Sequence, residues 1–97
     1  MIKSFGNRGT EDVFDGDIHT KEARKFPRDI LKRATLLLDV INNAIGLDAL
    51  KVPPGNRLKE LKPPRKGTWS VRINDQWRVT FKFKDSDFYD VQIEDYH

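Results

Sequence analysis

The chain has 97 residues, 37% hydrophobic and 34% charged, with ten aromatics and no cysteine. That is one domain, residues 1–97, with a single small core, no disulfide framework and no cysteine-ligated zinc. No apolar run reaches the ~20 residues that cross a bilayer, and "MIKSFGNRG" lacks the apolar stretch of a signal peptide, so a cytoplasmic protein is expected. With only His19 and His97 as histidines, neither a structural metal nor another cofactor is expected.

The net charge of +3 is unevenly spread. Residues 1–50 carry eight Lys/Arg and eight Asp/Glu, residues 51–84 ten against two, and residues 85–97 none against five. The basic third of the chain suits a polyanion such as nucleic acid, or serves as a solubilising surface.

Met1–Phe5 alternates and reads as a short strand. A helical turn is expected near Thr10–Phe14, with Thr10 as its cap, and another near Thr20–Lys25. The clearest helix opens at Pro27, where a missing N–H costs nothing, and runs to Ala44. Its apolar stripe is Ile30, Ala34, Leu37, Leu38, Ile41 and Ile45, and Gly46 stops it. Leu47–Leu50 adds a short turn. "VPPGN" (52–56) is a loop, since prolines continue neither a helix nor a central strand.

Beyond this loop the period becomes two. Arg57–Leu61 reads as a strand and "KPPRKG" (62–67) as a cationic loop. Two further strands flank "ND" (74–75), expected to form a tight hairpin turn, and a last strand follows "DSD" (85–87). The odd positions Trp69, Val71, Ile73, Trp77, Val79, Phe81, Phe83, Tyr89, Val91 and Ile93 belong to one buried face. The fold expected is α+β: an antiparallel meander with the helices on one face, leaving Arg72, Arg78, Thr80 and Lys82 on an open one.

Arg72 and Arg78 flank one turn, and Arg57, Lys59, Lys62, Arg65 and Lys66 precede it. Guanidinium groups match phosphate bidentately. Tyr96 shares the parity of Glu94, which sends the terminal "DYH" to the same cationic face. His97 titrates near neutrality and Tyr96 can stack on a base. This set suits attack of an RNA 2′-OH on its own phosphodiester. Asp95, Tyr96 or His97 would act on protons and Arg78 on the phosphate. A fringe of solvated charges with a loose tail is the alternative for any of these residues taken singly. Tyr89, Trp69 and Trp77 belong to the core by parity, and His19 to the surface.

"MIKSF" (1–5), "PPGNRLKELKPPRKGTWSVRINDQWRVTFKF" (53–83) and "VQIEDYH" (91–97) together resemble HigB-type toxins of bacterial toxin–antitoxin pairs, in the RelE superfamily. The most specific pieces are "RINDQWRVTF" and the terminal "DYH". The resemblance implies a RelE-like fold, with an N-terminal strand and helices packed on a twisted antiparallel sheet. It also implies a ribosome-dependent endoribonuclease that cuts mRNA in the ribosomal A site by 2′-OH attack. The partner implied is a HigA-type helix-turn-helix antitoxin, through which alone the toxin meets operator DNA. Carried over residue by residue, Arg78, Asp95, Tyr96 and His97 match the family's catalytic positions. Lys62, Arg65 and, less closely, Arg72 match its RNA-facing ones. The chain departs from some relatives in having Lys59 and Glu60 where they place a histidine, and "KPPRKG" where they carry "KGDR". Two other readings compete: a non-catalytic RNA- or ribosome-binding module, and an interaction domain whose basic block docks an acidic partner.

Overall fold

The computed structural model describes residues 1–96, so His97 lies outside the described residues. Two α-helices, α1 (Arg8–Phe14) and α2 (Leu31–Asn43), lie on one face of a four-stranded sheet. Its strands are β1 (Lys59–Glu60), β2 (Thr68–Arg72), β3 (Trp77–Lys84) and β4 (Asp87–Asp95), in spatial order β1-β2-β3-β4 with every pairing antiparallel. The α+β meander read from the periodicity is present. Short 3₁₀ turns fill the connections at Ala23–Lys25, Arg28–Ile30, Leu47–Lys51 and Pro54–Asn56.

The core is a sandwich of one helix stripe on one sheet face. Ile30, Leu31, Ala34, Leu37, Leu38 and Ile41 pack toward Val71, Ile73, Val79, Phe81, Val91 and Ile93, all buried. Burying each such side chain is worth about 1.5–3 kcal/mol, which makes this stripe the main source of stability. α1 adds Val13, and Phe26 meets Trp77 edge-on with ring centroids 5.9 Å apart.

Several local expectations are corrected. Asn7, not Thr10, caps α1: its carboxamide oxygen accepts from the Thr10 N–H (2.9 Å) and the Thr10 hydroxyl (2.7 Å). The Thr10 hydroxyl instead accepts from the Ile93 N–H (2.8 Å), tying α1 to β4. Pro27 stands one residue ahead of a 3₁₀ turn, and the regular helix starts only at Leu31. It ends at Asn43 because Ala44 is extended, so the 3.6-residue period lapses and Ile45 emerges 89% exposed instead of completing the stripe. Met1–Phe5 makes two isolated parallel bridges to β4, Ile2 to Phe88 and Phe5 to Val91, and not a full strand.

The expected strand Arg57–Leu61 shortens to Lys59–Glu60 because Arg57 turns the chain in a left-handed conformation, φ +48°. The "ND" turn works through a side chain and without positive φ: the Asn74 carboxamide oxygen accepts from the N–H groups of Gln76 (2.9 Å) and Trp77 (2.7 Å). True positive-φ turn residues stand at Asp85 and Ser86, within the expected "DSD" turn.

The largest correction concerns β4. A register shift opposite Thr80–Lys82, with Asp90 at φ +52°, is a bulge that inverts parity on the N-terminal side of the strand. Phe88 therefore enters the core, fully buried against Phe81 and Phe83, and Tyr89 pairs with Lys82 on the polar face.

Gly9 marks the tightest approach between α1 and the segment before α2. A Cβ there would stand 2.8 Å from the Glu22 carbonyl oxygen and 2.9 Å from the Phe26 ring. Gly9→Ala is expected to lower stability by about 1–3 kcal/mol, the range for overpacking a dense site, despite alanine's higher helix propensity. A urea midpoint shift at unchanged slope measures it.

Candidate RNA-cleavage site on the polar sheet face

The strand register sorts the polar face into rows. One row runs Arg72, Arg78, Glu94 across β2, β3 and β4. The next runs Lys59, Ser70, Thr80, Gln92, and a third Thr68, Lys82, Tyr89. This face is less open than the alternation suggests. Ser70 and Thr80 are buried, at 0% and 1% exposure, so Thr80 is not a surface group.

A strap covers them. The Arg65 guanidinium in loop 62–67 donates to both oxygens of Glu94, at 2.6 and 3.0 Å, and Thr80 donates to the same carboxylate at 2.6 Å. Arg65 holds the Glu94 carboxyl below its ordinary range; burial works against this and the Thr80 hydroxyl adds to it. The loop is thus fastened across the middle of the sheet. Glu60 secures its far end by accepting from the Gly67 N–H (2.9 Å). Sequence parity placed Glu94 on this face, but nothing local in the sequence marked it as a partner of Arg65, 29 residues away.

Tyr96 lies at the rim of the strap. Its backbone N–H donates to the Gln76 carbonyl (2.6 Å), which extends the β3–β4 pairing and ties down a segment that chain ends usually leave loose. Its phenol oxygen accepts from Lys59 Nζ at 3.1 Å, although β1 and β4 are opposite edges of the sheet. The Arg78 guanidinium stands 4.6 Å from the Tyr96 ring centroid and Lys59 Nζ 4.8 Å. Arg78 also donates to the Ser70 hydroxyl at 3.3 Å, which fixes the guanidinium against the sheet. Two cations thus converge on one phenol. The Lys59 hydrogen bond and charge pull the Tyr96 pKa below the ordinary phenol value, Arg78 and Lys62 adding to the pull and burial opposing it. In water a tyrosine is almost wholly protonated near neutrality; here the neighbouring cations move the balance toward the phenolate.

The remaining candidates distribute unequally. Lys62 and Arg65 line the groove of about 500 Å³ in which Lys59 and Tyr96 meet. Asp95 reaches the rim of that groove but has the opposite parity, pairing with Trp77, and accepts from the Gln76 side chain at 3.0 Å. Arg72 pairs with Asp75 beside the hairpin. Lys66 lies on the far side of the strap, and Arg57 is exposed and outside the groove. His97 lies outside the described residues. Behind the hairpin, Arg33 of α2 donates to the carbonyls of Ile73 (2.9 Å) and Arg72 (3.1 Å), which anchors the turn between Arg72 and Arg78. Among the described residues no cluster of three His, Asp or Glu side chains is poised for a metal ion, and no helix is long and apolar enough to cross a membrane.

The arrangement offers a phosphate two cations with a phenol oxygen beside them. Comparison with known proteins places the chain in a family. The family model described as "RelE-like toxin of type II toxin-antitoxin system HigB" covers residues 3–97. The chain is 32% identical over 97 residues to "Endoribonuclease HigB" of Proteus vulgaris, covering 100% of both. It is 31% identical over 85 residues to "Toxin HigB-1" of Vibrio cholerae, 88% of this chain and 86% of that one. Its fold superposes on the Staphylococcus aureus YoeB–YefM complex with TM-score 0.60 at 15% identity, covering 100% of this chain and 98% of that one. It superposes on Escherichia coli YafQ with TM-score 0.54 at 19% identity, covering 98% and 93%.

Proposed function

Because the chain belongs to the RelE-like HigB toxins of type II toxin–antitoxin systems, we propose that it is an endoribonuclease that cleaves mRNA in the ribosomal A site. The observation that carries this reading is the meeting of Lys59 and Arg78 on the Tyr96 phenol, Lys59 at its oxygen and Arg78 over its ring. In this reading the Tyr96 phenolate takes the proton of the RNA 2′-OH, whose oxygen then attacks the adjacent phosphorus. The P–O5′ bond breaks, leaving a 2′,3′-cyclic phosphate, and His97 supplies the proton to the departing 5′-oxygen. Arg78 holds the charge that accumulates on the phosphoryl oxygens, which a fixed guanidinium does without reorganisation. Lys59 keeps the phenolate in place and adds a second cation where some relatives have a histidine. Asp95 orients Gln76, whose carbonyl holds the Tyr96 backbone.

The site has few proton carriers, so much of its rate must come from lining up the 2′-OH with the bond that breaks. The ribosome supplies that alignment. Lys62, Lys66, Arg72 and Arg57 contact RNA around the site, mRNA or ribosomal. The protein acts in the cytoplasm, and a helix-turn-helix antitoxin of the HigA type neutralises it and carries the pair to operator DNA.

The test is cleavage of a defined mRNA, free and on programmed ribosomes. Cleavage confined to the ribosome-bound message is the expected result. Tight ribosome binding without any cleavage would establish a binding module instead, and toleration of high expression without ribosome binding would establish an interaction domain.

A further inference from the structure

The strap does more than cover the sheet: it divides the polar face in two. On its far side from Tyr96 lies a second groove of about 490 Å³ that the cleavage chemistry does not use. The half-buried Phe5 and the exposed Gly6 form one wall, Lys66 and Lys82 supply cations, and Gln92 lines the floor between them. Pro64 and Arg65 border both grooves.

Three features give this groove the character of a nucleotide site. Phe5 offers an aromatic surface; its ring is braced by Phe14, with centroids 5.6 Å apart. Gln92 carries an amide with donors and acceptors; it donates to Glu94 at the edge of the strap, and its oxygen accepts from Asn7 only at a long 3.5 Å. The exposed Lys82 is only loosely engaged by Asp90, at 3.8 Å with both side chains more than half exposed, which leaves its charge available to a phosphate. Gly6 is part of the construction. A Cβ there would lie 2.9 Å from the Gln92 side chain, so the absence of one makes room for the amide.

The spacing also fits. Tyr96, Glu94 and Gln92 follow one another at two-residue intervals on one face of β4, about 7 Å per interval. An extended RNA strand leaving Tyr96 along β4 therefore crosses the strap and reaches Gln92 after about two such intervals. We propose that the Phe5–Lys82–Gln92 groove holds a second nucleotide of single-stranded RNA, about two positions from the cleaved phosphate, with its base against Phe5 and Gln92 and its phosphate at Lys82. This deepens the nuclease reading and rests on it for the direction of the strand.

The test starts without cleavage. The ¹⁵N-labelled protein is titrated with a 2′-O-methyl pentanucleotide and, separately, with a 2′-O-methyl dinucleotide. The amides of Phe5 and Gly6 and the Gln92 side-chain amide are expected to shift with the pentanucleotide and not with the dinucleotide. Lys82→Ala, Gln92→Ala and Gly6→Ala should each weaken the pentanucleotide roughly tenfold, the scale of one lost base or phosphate contact, and leave the dinucleotide alone. Unmoved second-groove amides, or the same shifts with inorganic phosphate, overturn the proposal. Far-UV and near-UV spectra of the variants separate misfolding from lost binding, and the exposed Lys82→Ala is the variant that decides.

A second arm uses an mRNA with an abasic nucleotide two positions from the cleaved bond, on programmed ribosomes. Slower cleavage assigns the groove to mRNA. Unchanged cleavage, with Lys82→Ala weakening ribosome binding, assigns it to ribosomal RNA. If neither changes, the groove has no role there. A wild-type protein that cleaves nothing sinks the nuclease reading and leaves the first arm standing on its own.

Discussion

Tyr96→Phe is expected to slow mRNA cleavage on ribosomes by about 10²–10⁴-fold, the range for losing a positioned general base. The substitution is selective. It removes the phenol oxygen that accepts from Lys59 and keeps the ring on which Lys59 and Arg78 lie. Ribosome binding and the melting temperature should therefore hold. The pH profile gives an independent reading. With His97→Gln removing the titrating acid, a phenolate base makes the rate rise with pH and level off above the Tyr96 pKa, which Lys59 lowers more than any other neighbour. Lys59→Met withdraws that influence, so the phenol pKa climbs and the rising limb moves to higher pH. Full activity in Tyr96→Phe, or a limb that stays where it was in Lys59→Met, would remove the phenol from the mechanism.

Arg78→Ala is expected to cost about 10²–10³ in kcat with a smaller change in KM, as when one fixed donor to a developing negative charge is deleted. In the proposed mechanism its charge acts at the reacting phosphorus, whereas the other basic residues act along the RNA. Arg78→Lys should recover only part of the loss, because an ammonium cannot offer the planar fork that a guanidinium presents to phosphate. It also loses the geometry in which one guanidinium both donates to Ser70 and covers the Tyr96 ring. Arg72, its cross-strand neighbour, is already paired with Asp75 and should not substitute for it. Single-turnover rates on saturated ribosomes measure the effect. Equal losses for Arg72→Ala and Arg78→Ala would reduce both residues to general electrostatic attraction.

The strands were legible because alternation survives wherever pairing is regular. Val71, Val79, Val91 and Ile93 all face the core as their parity requires. Tyr89 failed because a bulge is a backbone event; its trace in the sequence is the doublet Phe88–Tyr89, which cannot be inside at both positions of a regular strand. Ile45 failed because helix periodicity says nothing about where the backbone leaves the helix. Asn7 precedes Thr10 by three residues and is as good a cap, so composition did not choose between them. Within the site, Arg78 and Tyr96 were placed on the right face by parity alone. The Lys59–Tyr96 and Arg65–Glu94 contacts join residues 37 and 29 positions apart, set by sheet order and side-chain reach, and no local pattern encodes either.

The first residues of this chain are held by its last strand: Ile2 bridges to Phe88, Phe5 to Val91, and the Thr10 hydroxyl receives the Ile93 N–H. During synthesis these N-terminal partners leave the ribosome more than 80 residues ahead of the strand they need. Lys59 and the basic loop emerge before Tyr96 as well, and so present their charge with no phenol to complete it. Such non-local closure folds late and as a unit. A nascent chain without β4 therefore has no Tyr96 in place and cannot assemble the proposed cleavage site.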